Sequence, residues 1–376
     1  MAYLQRLIKR PTRVKVLVEI VYQLYSIPPA FDEYLESRLQ KFSFSLTRPQ
    51  ELSESIRKLS NIFLKGISAD LKNDEGSDYW SNQSHRAAYI SYFSMLNFTR
   101  AQAIFSEARR RGFLEKAKVV ADWGCGAGAA SWALFTEISH SHDLIFKGID
   151  QSRDALNEYS QWSKFLGYQG ETHQLSLSKI GEIKADTLIL SYVLNEVKLW
   201  PEIPPSVKRM IILEPSTHQA GRELLKWREK KLTEGWYAWA PCTHQNSCPL
   251  LAQSGKDWCH HRVHWTKPEW FYELDRFLPM RNETLTVSYL LLSREKPDQT
   301  FNGVARVVGD EQEERGKTRQ MICRGPYREF LSWLHRDQIS LKLHRGDLLK
   351  ISDIVELKAN ELRIFSPDNV NKIEND

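Results

Sequence analysis

The sequence has no run of 18 or more apolar residues, and its most apolar N-terminal stretch, residues 14–24, is interrupted by Lys15, Glu19 and Gln23. That pattern offers no membrane-spanning helix and no apolar core for a secretory signal. Cysteine is scarce, five in 376 residues, which excludes a disulfide scaffold. In a chain with no secretory signal, clustered thiols are more often metal ligands than disulfides. No strong excess of one charge is present either. With 52 Lys and Arg against 47 Asp and Glu, the net charge of +5 permits an anionic partner without demanding one. Internal repeats and low-complexity tracts are missing, so solenoid and collagen-like architectures are out. What remains is a composition of 41% hydrophobic and 26% charged residues, ordinary for a folded soluble protein. The length suits two or three domains.

Residues 14–113 read as mostly helical, with breaks at Pro28-Pro29, Pro49 and residues 73–76. This predicts a helical N-terminal domain over 1–115. Its clearest helix pair spans 79–114 and ends in Arg109, Arg110 and Arg111 before Gly112. Basic residues in a last turn complement the helix dipole, and the same triplet is open to RNA phosphates. The first fifteen residues carry Arg6, Lys9, Arg10, Arg13 and Lys15 and no acid, as a solvated helix start or an organelle-targeting segment does. From Lys118 short apolar runs at 119–121, 144–149, 187–191 and 210–213 alternate with helical stretches. That alternation predicts an α/β fold with a mostly parallel, Rossmann-like sheet over 116–235. Residues 236–270 break the pattern as a Cys/His/Trp-rich insert. Strands expected at 285–292, 303–308 and 319–323 make 271–376 the completion of the sheet and a β-rich extension.

The strand from Lys118 runs into a turn holding Asp122, Gly124, Gly126 and Gly128, followed by an Ala-rich helix from Ala129. Glycines there let backbone approach a ligand at a helix N-terminus, where unpaired N–H groups face outward. The next strand ends in Asp150, placed to accept both hydroxyl protons of a ribose. The spacing differs from the dinucleotide pattern, and the acid inside the turn resembles the first motif of class I S-adenosylmethionine-dependent methyltransferases. That resemblance implies Asp122 near the cofactor's cationic methionine end, the glycines beneath it and Asp150 on its ribose. Amino-directed members of that superfamily usually carry a Pro-Pro-aromatic motif after the fourth strand, and here no Pro-Pro follows Asn195. The fifth strand, leading into Leu213, Glu214, Pro215 and Ser216, has no cysteine nucleophile. Cys125 sits in the glycine turn, where a small side chain explains it. The catalytic residue is therefore unknown, with Asn195 and Glu196 the nearest residues to orient a methyl acceptor.

The other four cysteines are Cys242, Cys248, Cys259 and Cys323. Four thiolates are the complement of a structural zinc or of a 4Fe-4S cluster. The spacing is longer than zinc knuckles use, which suits a bulkier cluster somewhat better. His244, His260, His261 and His264 crowd the same region, so a Cys/His zinc site competes. Six of the twelve tryptophans fall within 227–270, in reach of stacking on bases or of shielding a cluster from water, the role favoured here.

Taken together, the turn at 122–128 and the segments 190–196, 213–217, 241–250, 257–260 and 305–310 resemble the methyltransferase-like family of mitochondrial small-ribosomal-subunit assembly factors and its bacterial relatives. The resemblance covers roughly 79–323. It implies a class I methyltransferase fold with an N-terminal helical domain, a Cys-rich metal-binding insert and a β-rich C-terminal part. It also implies a 4Fe-4S cluster on Cys242, Cys248, Cys259 and Cys323, with zinc as the alternative. S-adenosylmethionine would lie on Asp122, Gly124, Gly126, Gly128 and Asp150. The implied function is small-subunit assembly through binding of ribosomal RNA, without a need for catalysis; the alternative is an active rRNA methyltransferase. The expected partners are the small ribosomal subunit and its rRNA, with no membrane and a monomer when free. The first 75 residues match loosely, and the tail after Leu343 is acidic at Asp353, Glu356, Glu361 and Asp368 rather than basic. A chain that enters its helical part almost at once reads as cytoplasmic and bacterial-like, with the mitochondrial matrix as the alternative.

Overall fold

The computed structural model describes residues 23–65, 79–138, 144–194, 202–297, 303–352, 354–357 and 360–373. Arg6 through Lys15 and the pair Asn195 and Glu196 lie outside them. Among the described residues, nine strands form one sheet and seven form a second.

The described residues open with β1 (Leu24–Ser26), α1 (Ala30–Gln40) and α2 (Pro49–Lys65). Leu24–Ser26 was expected to be helical; it instead pairs in parallel with a later strand on the edge of the first sheet. The expected helix pair at 79–114 is one continuous helix: α3 (Gln83–Ala88), a π-helical segment Tyr89–Phe93, and α4 (Ser94–Arg110). Asn82 caps its start by accepting from the N–H groups of Ser84 and His85. Ala87, Ile90, Met95, Phe98, Ala101, Ile104, Phe105 and Ala108 bury its apolar face.

The Rossmann-like part follows as β2 (Val119–Trp123), α5 (Ala129–Ile138), β3 (Ile145–Asp150), α6 (Arg153–Leu166), β4 (Gly170–Gln174), β5 (Thr187–Ser191), β6 (Arg209–Glu214) and α7 (His218–Thr233). Strands β2 to β6 pair in parallel. β5 and β6 are continuous apolar runs because helices cover both faces of a parallel sheet. Ser152 and Thr217 cap α6 and α7, and α6 ends on Gly167 in the left-handed conformation. A buried ion pair, Arg38 to Glu158 at 2.6 Å, ties α1 to α6.

Residues 236–270 are not a simple insert. They contribute β7 (Tyr237–Ala240), the short α8 (Pro249–Ala252), β8 (His261–Thr266) and the start of α9 (Glu269–Asp275). β7 and β8 both pair antiparallel with β9 (Thr284–Ser293), which itself runs antiparallel to β6. The sheet order is β4-β3-β2-β5-β6-β9-β8-β1, a mixed sheet with β9 as its antiparallel member beside β6. Val263 and Trp265 of β8 are set among His261, Arg262 and His264, so its strand period was not read from the sequence.

The second sheet is built from β10 (Val304–Glu314), β11 (Lys317–Cys323), β12 (Glu329–Leu334), β13 (Leu348–Ile351), β14 (Val355–Leu357), β15 (Glu361–Arg363) and β16 (Val370–Lys372), in the order β14-β15-β12-β11-β10-β13-β16. Its own core holds Ala305, Val307, Ile322, Leu331, Trp333 and Leu349. Acids of the tail are used within it: Glu361 bonds Lys317 at 2.6 Å and Glu356 meets Arg324 at 3.1 Å.

Candidate functional site

The first candidate lies at the C-terminal ends of β2 and β3, where open α/β sheets bind ligands. The backbone N–H groups of Gly124 and Cys125 both bond the carbonyl of Ile149, at 2.7 and 3.0 Å, which folds the turn back over β3. Asp150 then fastens it: Oδ2 accepts from the N–H of Gly126 at 3.0 Å and Oδ1 from that of Ser152 at 2.9 Å. Asp150 thus orients the turn.

Gly124, Gly126 and Gly128 all have positive φ. A Cβ on Gly128 would stand 2.6 Å from Tyr159, and one on Gly126 would stand 3.0 Å from the hydroxyl of Tyr89. The glycines therefore serve close packing as well as backbone conformation. The π-helical segment brings Tyr89 there, with Trp80 stacked obliquely at 4.4 Å between ring centroids. Sequence reading did not place these two aromatics at the turn, because Tyr89 and Trp80 stand 37 and 46 positions before Gly126.

Asp122 is buried beneath the turn and accepts from the Ser131 hydroxyl at 2.8 Å through Oδ2. Its Oδ1 is buried with no hydrogen-bond partner. Burial, with Asp150 adding repulsion, pushes its carboxyl up to about 7. An acceptor of this kind fits an N–H donor or a cation. Cys125 is buried, and burial followed by Asp150 and Asp122 raises its thiol well above the ordinary range, which agrees with a packing role.

The second candidate brings the other four cysteines together. Cys242, Cys248, Cys259 and Cys323 line one cavity of about 30 Å³. Cys242 follows β7, Cys248 caps α8, Cys259 precedes β8, and Cys323 ends β11 in the other sheet. Among the described residues, no group of three or more His, Cys, Asp or Glu side chains is placed to hold a metal ion. The thiols share a cavity without converging on one point. Burial pushes Cys248 up to about 11 and Cys259 up to about 12, with neighbouring cysteines adding to both.

The cavity wall is aliphatic, with Leu224, Leu225, Leu250, Leu290 and Val308. Among the described residues no tryptophan lines it, so the expected shielding falls to leucines. Trp239, Trp258 and Trp265 instead donate their indole N–H groups to the carbonyls of Glu295, Ser216 and Asn282, each at 2.8 Å. The histidines divide as well. His244 joins the cysteines, its Nε2 3.4 Å from the Cys323 sulfur. His260 stacks on Trp258, while His261 and His264 face a different cavity.

Two buried arginines complete the wall. Arg228 donates to the carbonyls of Asn246 at 2.8 Å and His244 at 3.0 Å, framing the loop that carries Cys242 and Cys248. Arg306 donates from Nε to the Pro241 carbonyl at 2.6 Å and from Nη1 to the Gly346 carbonyl at 2.8 Å. Its remaining Nη2 meets Glu107, which also receives Arg111 at 2.7 Å and the Tyr289 hydroxyl. Burial opposes ionisation of Glu107, but Arg306 and Arg111 hold its carboxyl well below the usual range. Of the Arg109–Arg111 triplet, then, Arg111 is structural. Arg109 pairs with Glu137 at 2.9 Å and Arg110 bonds Gln23 and Ser106.

A family model described as mitochondrial small ribosomal subunit Rsm22 matches residues 84–350. No curated protein matches the chain. Among solved structures, the plantazolicin methyltransferase BpumL with S-adenosylhomocysteine is 12% identical, covering 66% of this chain and 98% of that one, with a TM-score of 0.34. The 16S rRNA methylase ArmA is 12% identical over 55% of this chain and 89% of its own, at 0.31. A precorrin-6y C5,15-methyltransferase from Geobacter metallireducens is 10% identical over 50% and 87%, at 0.32.

Proposed function

Because the chain belongs to the Rsm22 family, the family of a mitochondrial small ribosomal subunit protein, we propose that it is an assembly factor of the small ribosomal subunit that binds ribosomal RNA. The observation that carries this reading is the family match itself. Residues 84–350 take in the glycine turn and all four clustered cysteines. The family description also favours the mitochondrial matrix over a bacterial cytoplasm as the compartment.

In this reading Cys242, Cys248, Cys259 and Cys323 hold a 4Fe-4S cluster. The donor set fits: four thiols and two buried guanidinium groups, Arg228 and Arg306, line one aliphatic cavity. A cubane of four irons and four sulfides is wider than one ion, so thiols that share a cavity without converging suit it better than they suit zinc. When bound, the group supplies metal–thiolate bonds that cross-link β11 to the segment between β7 and β8. Arg228 and Arg306 offset the negative charge of the thiolates, and Thr243 holds the Cys323 carbonyl at 3.3 Å.

The turn of Asp122, Gly124, Gly126 and Gly128, with Asp150, holds S-adenosylmethionine. The buried Oδ1 of Asp122 fits the cofactor's cationic amino group, directly or through water. The cofactor supplies an activated methyl group, and the reading does not need its transfer.

Co-sedimentation with small-subunit particles over a salt series tests the proposal. Affinity is expected to fall by roughly 0.7 to 0.9 log units per phosphate contact per log unit of salt. Absence of binding, or binding indifferent to salt, contradicts it. Single-turnover transfer of a labelled methyl group to those particles would instead favour an active methyltransferase.

A further inference from the structure

A second cavity, of about 60 Å³, lies between α4, β8 and the second sheet. Five cationic side chains line it, Arg110, Arg262, Arg306, Arg345 and Lys372, against the two carboxylates of Glu107 and Asp347. Five minus two leaves an excess of three positive charges. Both carboxylates are already engaged. Glu107 receives Arg306 and Arg111, and Asp347 accepts from Lys372 at 3.0 Å and from the His344 N–H at 2.9 Å. The next charges outward, Arg111 and Asp310, cancel one another; Asp310 pairs with Arg262 and Arg345 at 3.1 Å each. Cations gathered in a partly enclosed, low-dielectric space repel one another unless an anion joins them.

The hydrogen-bond inventory points the same way. Nε of Arg262, Nε of Arg345 and Nδ1 of His261 are buried with no partner. Buried guanidinium donors are rarely left unmade in a folded protein. The wall that carries them is built tightly: Gly346 has a φ of +105°, and a Cβ there would lie 2.1 Å from the His261 ring. That turn presses Arg345 and Asp347 against β8.

We propose that this cavity binds a phosphate group, either from an RNA strand or from a small free phosphate. Planar guanidinium forks match phosphate oxygens in shape and charge. The site stands on its own geometry, and only its RNA arm rests on the ribosomal reading. Because Arg306 lines both cavities, the phosphate site backs directly onto the cysteines.

Calorimetric titration of the full chain with inorganic phosphate tests it, alongside short single-stranded RNAs with and without a terminal phosphate. Binding is expected in the unaltered protein and about tenfold weaker in Arg345→Gln, the loss of one charge-assisted contact. Should Arg345→Gln fail to fold, Arg110→Gln serves, since Arg110 bonds the neutral side chains of Gln23 and Ser106 and faces the Tyr25 hydroxyl. The exposed Arg336→Gln is the control and should bind normally. Competition by RNA identifies a nucleic-acid phosphate. Phosphate binding without such competition identifies a small ligand, keeps the site and withdraws its support from the ribosomal reading. No binding of either probe, or equal affinity in both arginine variants and the control, overturns the proposal.

Discussion

The glycine turn and the cysteine cavity are assembled in opposite ways. The turn is made by two neighbouring parallel strands and the helix between them, and its hydrogen bonds run almost wholly between backbone groups and Asp150. The cavity draws on α7, the segment between β7 and β8, and the end of β11 in another sheet. What holds its parts in register is a buried ion network, Glu107 with Arg111 and Arg306, reaching back to α4. Local backbone bonding makes the first site nearly self-sufficient, whereas the second depends on the docking of three regions.

The largest expected effect separates the two sites at the cavity. Cys323→Ser is expected to lose essentially all bound metal, as Cys242→Ser does, while S-adenosylmethionine binding to the turn persists. Elemental analysis beside calorimetry checks this; equal metal in Cys323→Ser and the unaltered chain would remove it from the ligand set. Next comes Glu107→Gln, which leaves two buried guanidinium groups without their counter-charge. It should cost roughly 3 to 5 kcal/mol in denaturant unfolding and lower metal retention, although Glu107 touches no cysteine. A loss below about 1 kcal/mol, the range of an exposed pair, would dissolve the contrast drawn here.

Gly128→Ala perturbs the other site. A left-handed backbone and a Cβ 2.6 Å from Tyr159 should cost about 1 to 3 kcal/mol and abolish cofactor binding with iron content unchanged. Asp122 adds a pH signature. Its carboxyl titrates near 7 in the folded chain and near 4 unfolded, so the folded state holds a proton that the unfolded state releases between those values. Stability should fall as pH rises across that window, by at most about 1.4 kcal/mol per pH unit. Asp122→Asn should flatten that slope, and an unchanged slope would locate the titration elsewhere. The smallest effect is expected for Arg109→Ala, which removes a half-exposed pair with Glu137 and should shift stability by less than about 1 kcal/mol.

This same contrast explains what could be read from the sequence. Asp122, the three glycines and Asp150 were legible because strand, turn, helix and strand follow in order and each constrains the next. The four cysteines were legible as residue types, but the place of Cys323 beside the other three was not, since 63 intervening residues say nothing about distance. Glu107, Arg228 and Arg306 were not assigned. A buried ion pair spanning 199 positions leaves no local pattern, and Arg306 sits in a strand whose neighbours are apolar. Leu24–Ser26 was misread because three residues on a sheet edge are too short to display a period. The tryptophans were misjudged because composition cannot tell a cavity wall from a hydrogen-bonded brace.

Anaerobic purification of the full chain, with iron, sulfide and zinc analysis beside a visible spectrum, tests the central claim most directly. About four iron and four sulfide per chain, with broad visible absorption, are expected of a thiolate-bound cluster. One zinc without colour, or no metal on the four cysteines, would contradict the account.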